Sequence, residues 1–428
     1  MIPSDGVFRI RMFLRQIWVR IAAITGLAVV SGLAAPVVSP FVPDALRFGL
    51  DHGATSDLLS VLTGSMLAVA TFSLSVMVTA HHYASSQATP RSHRLLREDG
   101  RTQSVLATFI GAFVYSLCAI AAINAGFYAE ADFVVVYVTT ILVTGLVIVA
   151  LVRWVQHISA LGSMDSTIER VEAAAARSIA TRADTPLIGA RPYGPQDVPD
   201  DAIAVVAERS GHVGNIDTAR LDALAEPWDA TVHVEVLPGD WIARGSVLMR
   251  IAASHLDVPT QEAMRLCILV DEHRSFDQDP LYGIQVMSEI AQRALSPGLN
   301  DPRTAVDIVR RLSRLLDGWV EEVGLSGDPV AQRVRVRPIP SDAVLREAFD
   351  FIARDGAAFV EVQTEIQSAL ARLAAKGTPT VAAAARRVSE RALERSDTAL
   401  ELEGDRAAIH AAAPSPDRPQ SVRSAAAI

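Results

Sequence analysis

The sequence predicts an α-helical membrane domain of four transmembrane helices, followed by a cytoplasmic α+β domain in which a small barrel-sandwich-like β module precedes a set of helices. Three observations predict it. The chain of 428 residues is 50% hydrophobic and still 20% charged, with a mean hydropathy of +0.27, and its apolar residues are concentrated in the first third. The arginines of that third alternate from loop to loop. Strand-like runs and then amphipathic helical runs follow from about residue 200.

A membrane helix needs about 20 mostly apolar residues. Four segments qualify, at 17–42, 58–80, 104–123 and 133–154. Arg20 lies near the start of the first, within snorkelling reach of the head groups, and Pro36 and Pro40 imply a kink or an early stop. Arg9, Arg11, Arg15 and Arg20 precede or open span one, and Arg91, Arg94, Arg97 and Arg101 fill the loop between spans two and three. The loop after span one holds only Arg47 against three aspartates. The loop between spans three and four carries only Glu130 and Asp132, and Arg153 closes span four. This alternation is the positive-inside pattern for both termini in the cytoplasm. A cleaved signal at 1–35 is the competing reading, but its apolar run exceeds the usual length of such a region.

Span two differs from the others. Gly64, Ala68, Thr71, Ser75, Thr79, His82 and Ser86 recur at helical steps, giving one continuous face of small and hydroxylated residues. Such a face permits close helix approach or lines a narrow path for an ion or small solute. No Asp, Glu, Lys or Arg occupies the central turns of the spans, which argues against a proton relay. His81, His82 and His93 sit at the cytoplasmic end, where a titrating gate is conceivable but interfacial histidines are commoner. Span two continues without a breaker to Pro90, and span four runs on through His157 toward a charged helix at 166–182.

Four prolines mark 183–200 as a linker. Runs of β-branched residues at 205–209 and 231–236 read as strands, and Gly239, Asp240 and Gly245 as turns. The spacing of 237–251 resembles part of a biotinyl/lipoyl barrel-sandwich domain. No lysine stands there to carry a cofactor, since Lys376 is the only lysine of the chain, so the likeness implies a β fold and no cofactor. Further on, Leu281, Ile284, Met287, Ile290 and Ala294 form one helix face, and Ala305, Ile308, Leu312 and Leu315 another. The corner at 296–302 between them holds Asn300 or Asp301 as a cap, with Pro302 at the first turn. With Arg274, Asp277, Asp279 and Arg303 it is a candidate ligand or subunit-contact site, although a plain helix–loop–helix corner explains the same residues. An acidic cap also competes with any bound phosphate.

The net charge of −9 gives no basic surface for nucleic acid. Cys118 and Cys267 are too few for a disulfide framework or zinc site and read as core residues. No phosphate loop, zinc motif or nucleophile elbow is present, which argues against an enzyme, the Asp277–Arg303 cluster being the one signal for a membrane enzyme. The segments LTGSMLAVATFSLSVMVTA with SSQATPR at 62–91, FIGAFVYSL at 109–117 and ALSPGLNDPRTAV at 294–306 resemble the bacterial membrane-protein family of domain of unknown function 2254. The resemblance implies a multi-pass protein of the bacterial inner membrane and brings no activity.

The expected organisation is a membrane domain at 1–160, a juxtamembrane helix and linker at 161–200, a β module at 201–260, helices at 261–405 and a disordered tail at 406–428. The expected partners are the lipid bilayer, further copies of the chain, and an ion or small solute. The expected function is an oligomeric channel or transport protein lined by span two, or alternatively a membrane-anchored sensor or scaffold whose cytoplasmic domain binds a partner or small ligand.

Overall fold

The computed structural model describes residues 52–87, 100–129, 132–160, 163–322 and 329–414, with isolated stretches between 19 and 41 and at 91. The chain divides into two compact units, Met1–Thr167 and Ile168–Ile428.

Three long helices dominate the described part of the first unit: α1 (His52–Gln87), α2 (Gly100–Asn124) and α3 (Phe133–Ala160). Each is long and apolar enough to cross a membrane, over Gly53–Thr79, Ser104–Asn124 and Phe133–Gln156. Nearly half of the first predicted span, 17–42, and most of the arginine-rich loop at 91–101 lie outside the described residues. Of that span, a helical turn at Ala35–Val38 and a 3-10 turn at Ser39–Phe41 are present.

The three helices pack through small and aromatic residues. Leu62, Met66 and Ala70 of α1 meet Phe109 and Ala112 of α2 and Val147, Ala150 and Trp154 of α3 in one cluster. Leu59, Tyr115, Ala119, Phe133 and Val136 belong to a second. Tyr115 Oη and Thr140 Oγ1 share a hydrogen bond of 3.0 Å across the α2–α3 contact. Elsewhere Val61, Leu67, Phe72 and Val78 of α1 and Ile141, Leu142, Leu146, Ile148 and Val152 of α3 stay exposed. Large apolar side chains exposed on the outside suit a bundle that faces lipid.

The second unit combines two sheets with a helical bundle. Its elements are α4 (Met164–Asp184, from Ile168 onward), β1 (Arg191–Pro192), β2 (Ile203–Val206), β3 (Gly211–Ile216), α5 (Thr218–Ala225), β4 (Thr231–Val234), β5 (Trp241–Ile242), β6 (Val247–Ala252), α6 (Val258–Arg265) and β7 (Ile268–Asp271). Then follow α7 (Pro280–Ala294), α8 (Pro302–Glu322), β8 (Val334–Val336), α9 (Ser341–Leu345), a π-helical turn at Arg346–Asp350, α10 (Phe351–Asp355), α11 (Val360–Lys376), α12 (Pro379–Ala399) and α13 (Glu403–Ala412).

One sheet has the order β1-β8-β4-β6-β2 and the other β5-β3-β7. Alternation decides their faces: Val232, Val234, Met249, Ile251, Val334 and Val336 are fully buried in one core, while His233, Arg250 and Arg335 between them are not part of it. The strands extend beyond the expected 201–260 module. The supposed linker at 183–200 contributes edge strand β1 and buries Leu187, Ala190 and Tyr193. Its prolines suit this role, because an edge strand tolerates a residue that donates no ladder hydrogen bond.

The helical faces read from sequence are buried as expected at Ile284, Met287, Ile290, Ala305, Ile308 and Leu312. Two expectations need correction. The tail expected to be disordered from 406 begins inside α13, whose Ile409 is fully buried. Alanine-rich sequence that reads as low complexity is also strongly helix-forming. Cys267 is buried as expected, but Cys118 is exposed on α2; an apolar helix with lipid-type exposure need not bury its cysteine.

Candidate functional site

On α1 the buried stripe is Thr55, Leu59, Leu62, Met66, Ala70 and Ser73. The seam Gly64, Ala68, Thr71, Ser75, Thr79 and His82 repeats the same spacing nine residues later. At about 100° per residue, nine residues rotate by half a turn modulo full turns, so the seam lies opposite the packing face. Gly64, Ala68, Thr71, Ser75 and Thr79 are all exposed. His82 is described as helical backbone only. Val61 and Phe72 flank the seam on one side and Leu67, Leu74 and Val78 on the other, leaving a shallow groove of small side chains between bulky ridges.

The seam hydroxyls are bonded to their own helix. Thr71 Oγ1 donates to the carbonyls of Leu67 and Ala68 at 3.0 Å, Ser75 Oγ to Thr71 at 3.1 Å, and Thr79 Oγ1 to Ser75 at 3.0 Å. Each hydroxyl therefore spends its one proton inward and turns only acceptor lone pairs outward.

The second set of residues does not form one site. Arg274 and Asp279 come together before α7, whereas Asn300, Asp301 and Arg303 stand beyond its far end. The fifteen residues of α7 separate the groups by about 22 Å at 1.5 Å per residue. At the far end, Asn300 takes a left-handed φ of 49°. Asp301 caps α8 by accepting the Thr304 N–H at 3.1 Å, and the Thr304 hydroxyl and N–H bonds hold its carboxyl below the usual range. Asn300, Asp301 and Arg303 are exposed. Asp277 is exposed as well, its N–H donating to Ser275 Oγ at 3.3 Å.

The near end is a built polar cluster. Gln278 anchors the loop to β3, its side chain accepting the Ile216 N–H at 2.9 Å and donating to the Ile216 carbonyl at 3.3 Å. Asp279, 1% exposed, caps α7 by accepting the Tyr282 N–H at 3.1 Å. It also takes two bonds from the Arg274 guanidinium, at 2.7 and 3.0 Å, which lies 5.1 Å above the Tyr282 ring. Arg274 further donates to Gln285, and Gln285 to Glu289 at 3.0 Å. Burial raises the Asp279 pKa, offset in part by Arg274. Burial likewise raises Glu347, carried to this cluster by the π-helical turn, with Arg274 opposing and Glu289 adding to the shift.

Sequence reading found Arg274 and Asp279 but not Gly239, Gln285, Glu289 or Glu347. A methyl group on Gly239 would fall on the Asp279 carboxylate, and its φ of 96° already favours glycine. The Pro238-Gly239-Asp240 turn was the one available signal. Nothing in the helical pattern marks the π-helical turn that delivers Glu347. Among the described residues no group of three or more His, Cys, Asp or Glu could hold a metal ion.

Three apolar helices of membrane-spanning length joined to a sheet-containing unit define the chain as a membrane protein. It belongs to the family described as predicted membrane protein (DUF2254), whose model matches residues 15–372. Uncharacterized proteins of Mycobacterium bovis and Mycobacterium tuberculosis are 28% identical to it over 289 residues, which is 65% of this chain and 55% of theirs. The chain thus spans about half the length of the curated relatives it matches. No solved structure matches it.

Proposed function

We propose that this protein forms a homo-oligomeric channel of the bacterial inner membrane, with α1 lining a shared axial path and the second unit acting in the cytoplasm as an assembly and regulatory domain. The observation that carries this reading is the position of the seam, half a turn away from the face that α1 uses within its own chain. Among the described residues that face is exposed, whereas a ring of copies brings several seams around one axis. The outward-facing lone pairs of Thr71, Ser75 and Thr79 favour a cation over an anion in such a path. The alternating arginines support a multi-pass arrangement with both termini inside. The turns at Gly239 and Gly245 support a barrel-sandwich-like module.

The test is conductance across planar bilayers by the wild type and by Thr71→Leu and Ser75→Leu. Both substitutions should lower conductance, and unchanged conductance in both would overturn the channel. A second reading is supported by the way the hydroxyls satisfy themselves on their own backbone. The seam then serves only as a packing groove between copies, and the second unit is a membrane-anchored sensor or scaffold. Under that reading the leucine substitutions change the oligomeric state in detergent, and no conductance is found in the wild type.

A further inference from the structure

The outer face of the five-stranded sheet carries an unusual row. Strand register sets Arg191 of β1 opposite Arg335 of β8, Arg335 opposite His233 of β4, and His233 opposite Arg250 of β6. The alternate residues of these strands fill the core, so all four side chains stand on the other face. Neighbouring strands are about 4.8 Å apart, and like charges directly across a ladder are unfavourable. Burial, together with the nearby Arg191, lowers the basicity of Arg335.

The two carboxylates near this row, Glu235 and Asp197, form no ion pair with Arg191 or Arg335 among the described residues. Glu235 binds Arg250 at 2.6 Å, and Asp197, which faces Arg335 from the 193–197 segment, accepts the Gly194 N–H at 2.6 Å. Arg191 and Arg335 converge instead on neutral Gln332, the first on its side chain and the second on its carbonyl at 2.8 Å. Arg337 donates to the Glu235 carbonyl. Next in the row is His233, 4% exposed and in T-shaped contact with the Tyr193 ring, centroids 5.2 Å apart. Its ring bonds the Arg250 backbone, and its Nδ1 has no hydrogen-bond partner among the described residues. A buried polar atom left unmet beside two guanidiniums that, among the described residues, form no ion pair is what a bound anion would satisfy.

We propose that Arg191, Arg335 and His233 bind a phosphoryl group, the two guanidinium forks gripping its oxygens and His233 donating a proton from Nδ1. Planar forks on adjacent strands suit bidentate recognition of such a group. Burial and Arg335 lower the His233 pKa, against the opposing pull of Asp197, Glu235 and the Arg250 carbonyl. A neutral ring already donating to that carbonyl presents Nδ1 as an acceptor, so anion binding takes up one proton and strengthens as pH falls.

The experiment is calorimetric titration of the full chain in detergent with sodium sulfate, whose charge is constant between pH 5 and 8. Wild-type affinity should rise with falling pH, by at most about tenfold per unit. Arg335→Gln and Arg191→Gln should each weaken binding at least tenfold, and His233→Gln should bind with no pH slope. Arg335→Gln should melt no lower than wild type in anion-free buffer, because it relieves like-charge repulsion. If it fails to fold, Arg191→Gln, at an exposed edge position, carries the test. Binding of inorganic pyrophosphate without lipid assigns the site to a soluble phosphate ligand. Binding only to phosphatidylcholine vesicles containing phosphatidic acid assigns it to a lipid headgroup. Either supports the phosphoryl chemistry. Absence of all three, or equal affinity in both arginine variants and wild type, overturns it. The proposal is independent of the channel reading.

Discussion

Asp279 carries three tasks at one carboxylate: it caps α7, pairs with Arg274 and sits against Gly239. Removing a capping side chain costs about 1 kcal/mol, and stranding a buried charge costs about 3–5 kcal/mol. Asp279→Ala should therefore destabilise the second unit by roughly 3 kcal/mol or more in denaturant unfolding. Replacing Arg274 by Met in the same chain should recover part of that loss, because no cation is then left without its partner. An equal loss in the single and double variants would show that the cap alone matters. The Arg274–Asp279 pair was legible in sequence only as two members of a charged cluster, its pairing and its cap on α7 being set by the fold. Its extension to Glu289 and Glu347 was not, because those residues come from two other helical turns. The association of Arg274 with Asn300, Asp301 and Arg303 was also misjudged: both sets flank α7, and sequence proximity hides the length of a helix.

At the level of elements, the approach of α4 to α7 depends on Gly283. A Cβ added there would lie 2.5 Å from that of Ala175 and 2.7 Å from its Cα, a distance that backbone must yield to. Gly283→Ala should destabilise the unit by about 1–3 kcal/mol through overpacking, despite the better helix propensity of alanine. A neutral or stabilising result in thermal melts would sink that account. The same α4 presents Glu172 to Arg311 at 2.7 Å and to Arg314. Burial tends to raise this carboxyl, but the two arginines prevail and lower it. A depressed folded pKa gives stability that is complete above the unfolded carboxylate range and lost as pH falls through the folded value. The raised Glu347 acts in the opposite sense: its contribution is best when protonated and is lost as pH rises through its folded pKa. Thermal melts should show Glu172→Gln costing stability at pH 7 and little at pH 3. Glu347→Gln should raise the melting temperature more at pH 8 than at pH 5. The faces of α7 and α8 were readable because helical periodicity survives in any amphipathic element. The edge strand β1 was not, since two residues beside prolines leave no alternation to detect.

For the whole molecule, the question is what covers the seam of α1. Its existence was plain in the sequence; its direction required the fold, because buried stripe and seam share one spacing and differ only by half a turn. Lipid, a second copy and a wet path can be told apart with cysteines placed along that helix. With Cys118 and Cys267 replaced by alanine, Ala68→Cys, Thr71→Cys and Ser75→Cys sample the seam, while Val78→Cys samples a bulky ridge and Met66→Cys the buried stripe. A packing groove brings seam backbones close enough for oxidant to form disulfides between copies, which needs Cα atoms within about 7 Å. A wider aqueous path instead lets a charged, water-soluble thiol reagent modify all three seam cysteines, because only a hydrated thiol ionises and reacts readily. Lipid does neither, since a thiol in hydrocarbon stays protonated and out of the reagent's reach. The channel reading expects modification at Thr71→Cys and Ser75→Cys, none at Met66→Cys, and block of conductance by the same reagent. Disulfides without modification would leave an oligomer with no path. A seam that behaves like Val78→Cys toward both reagents would remove the observation on which the oligomer itself rests.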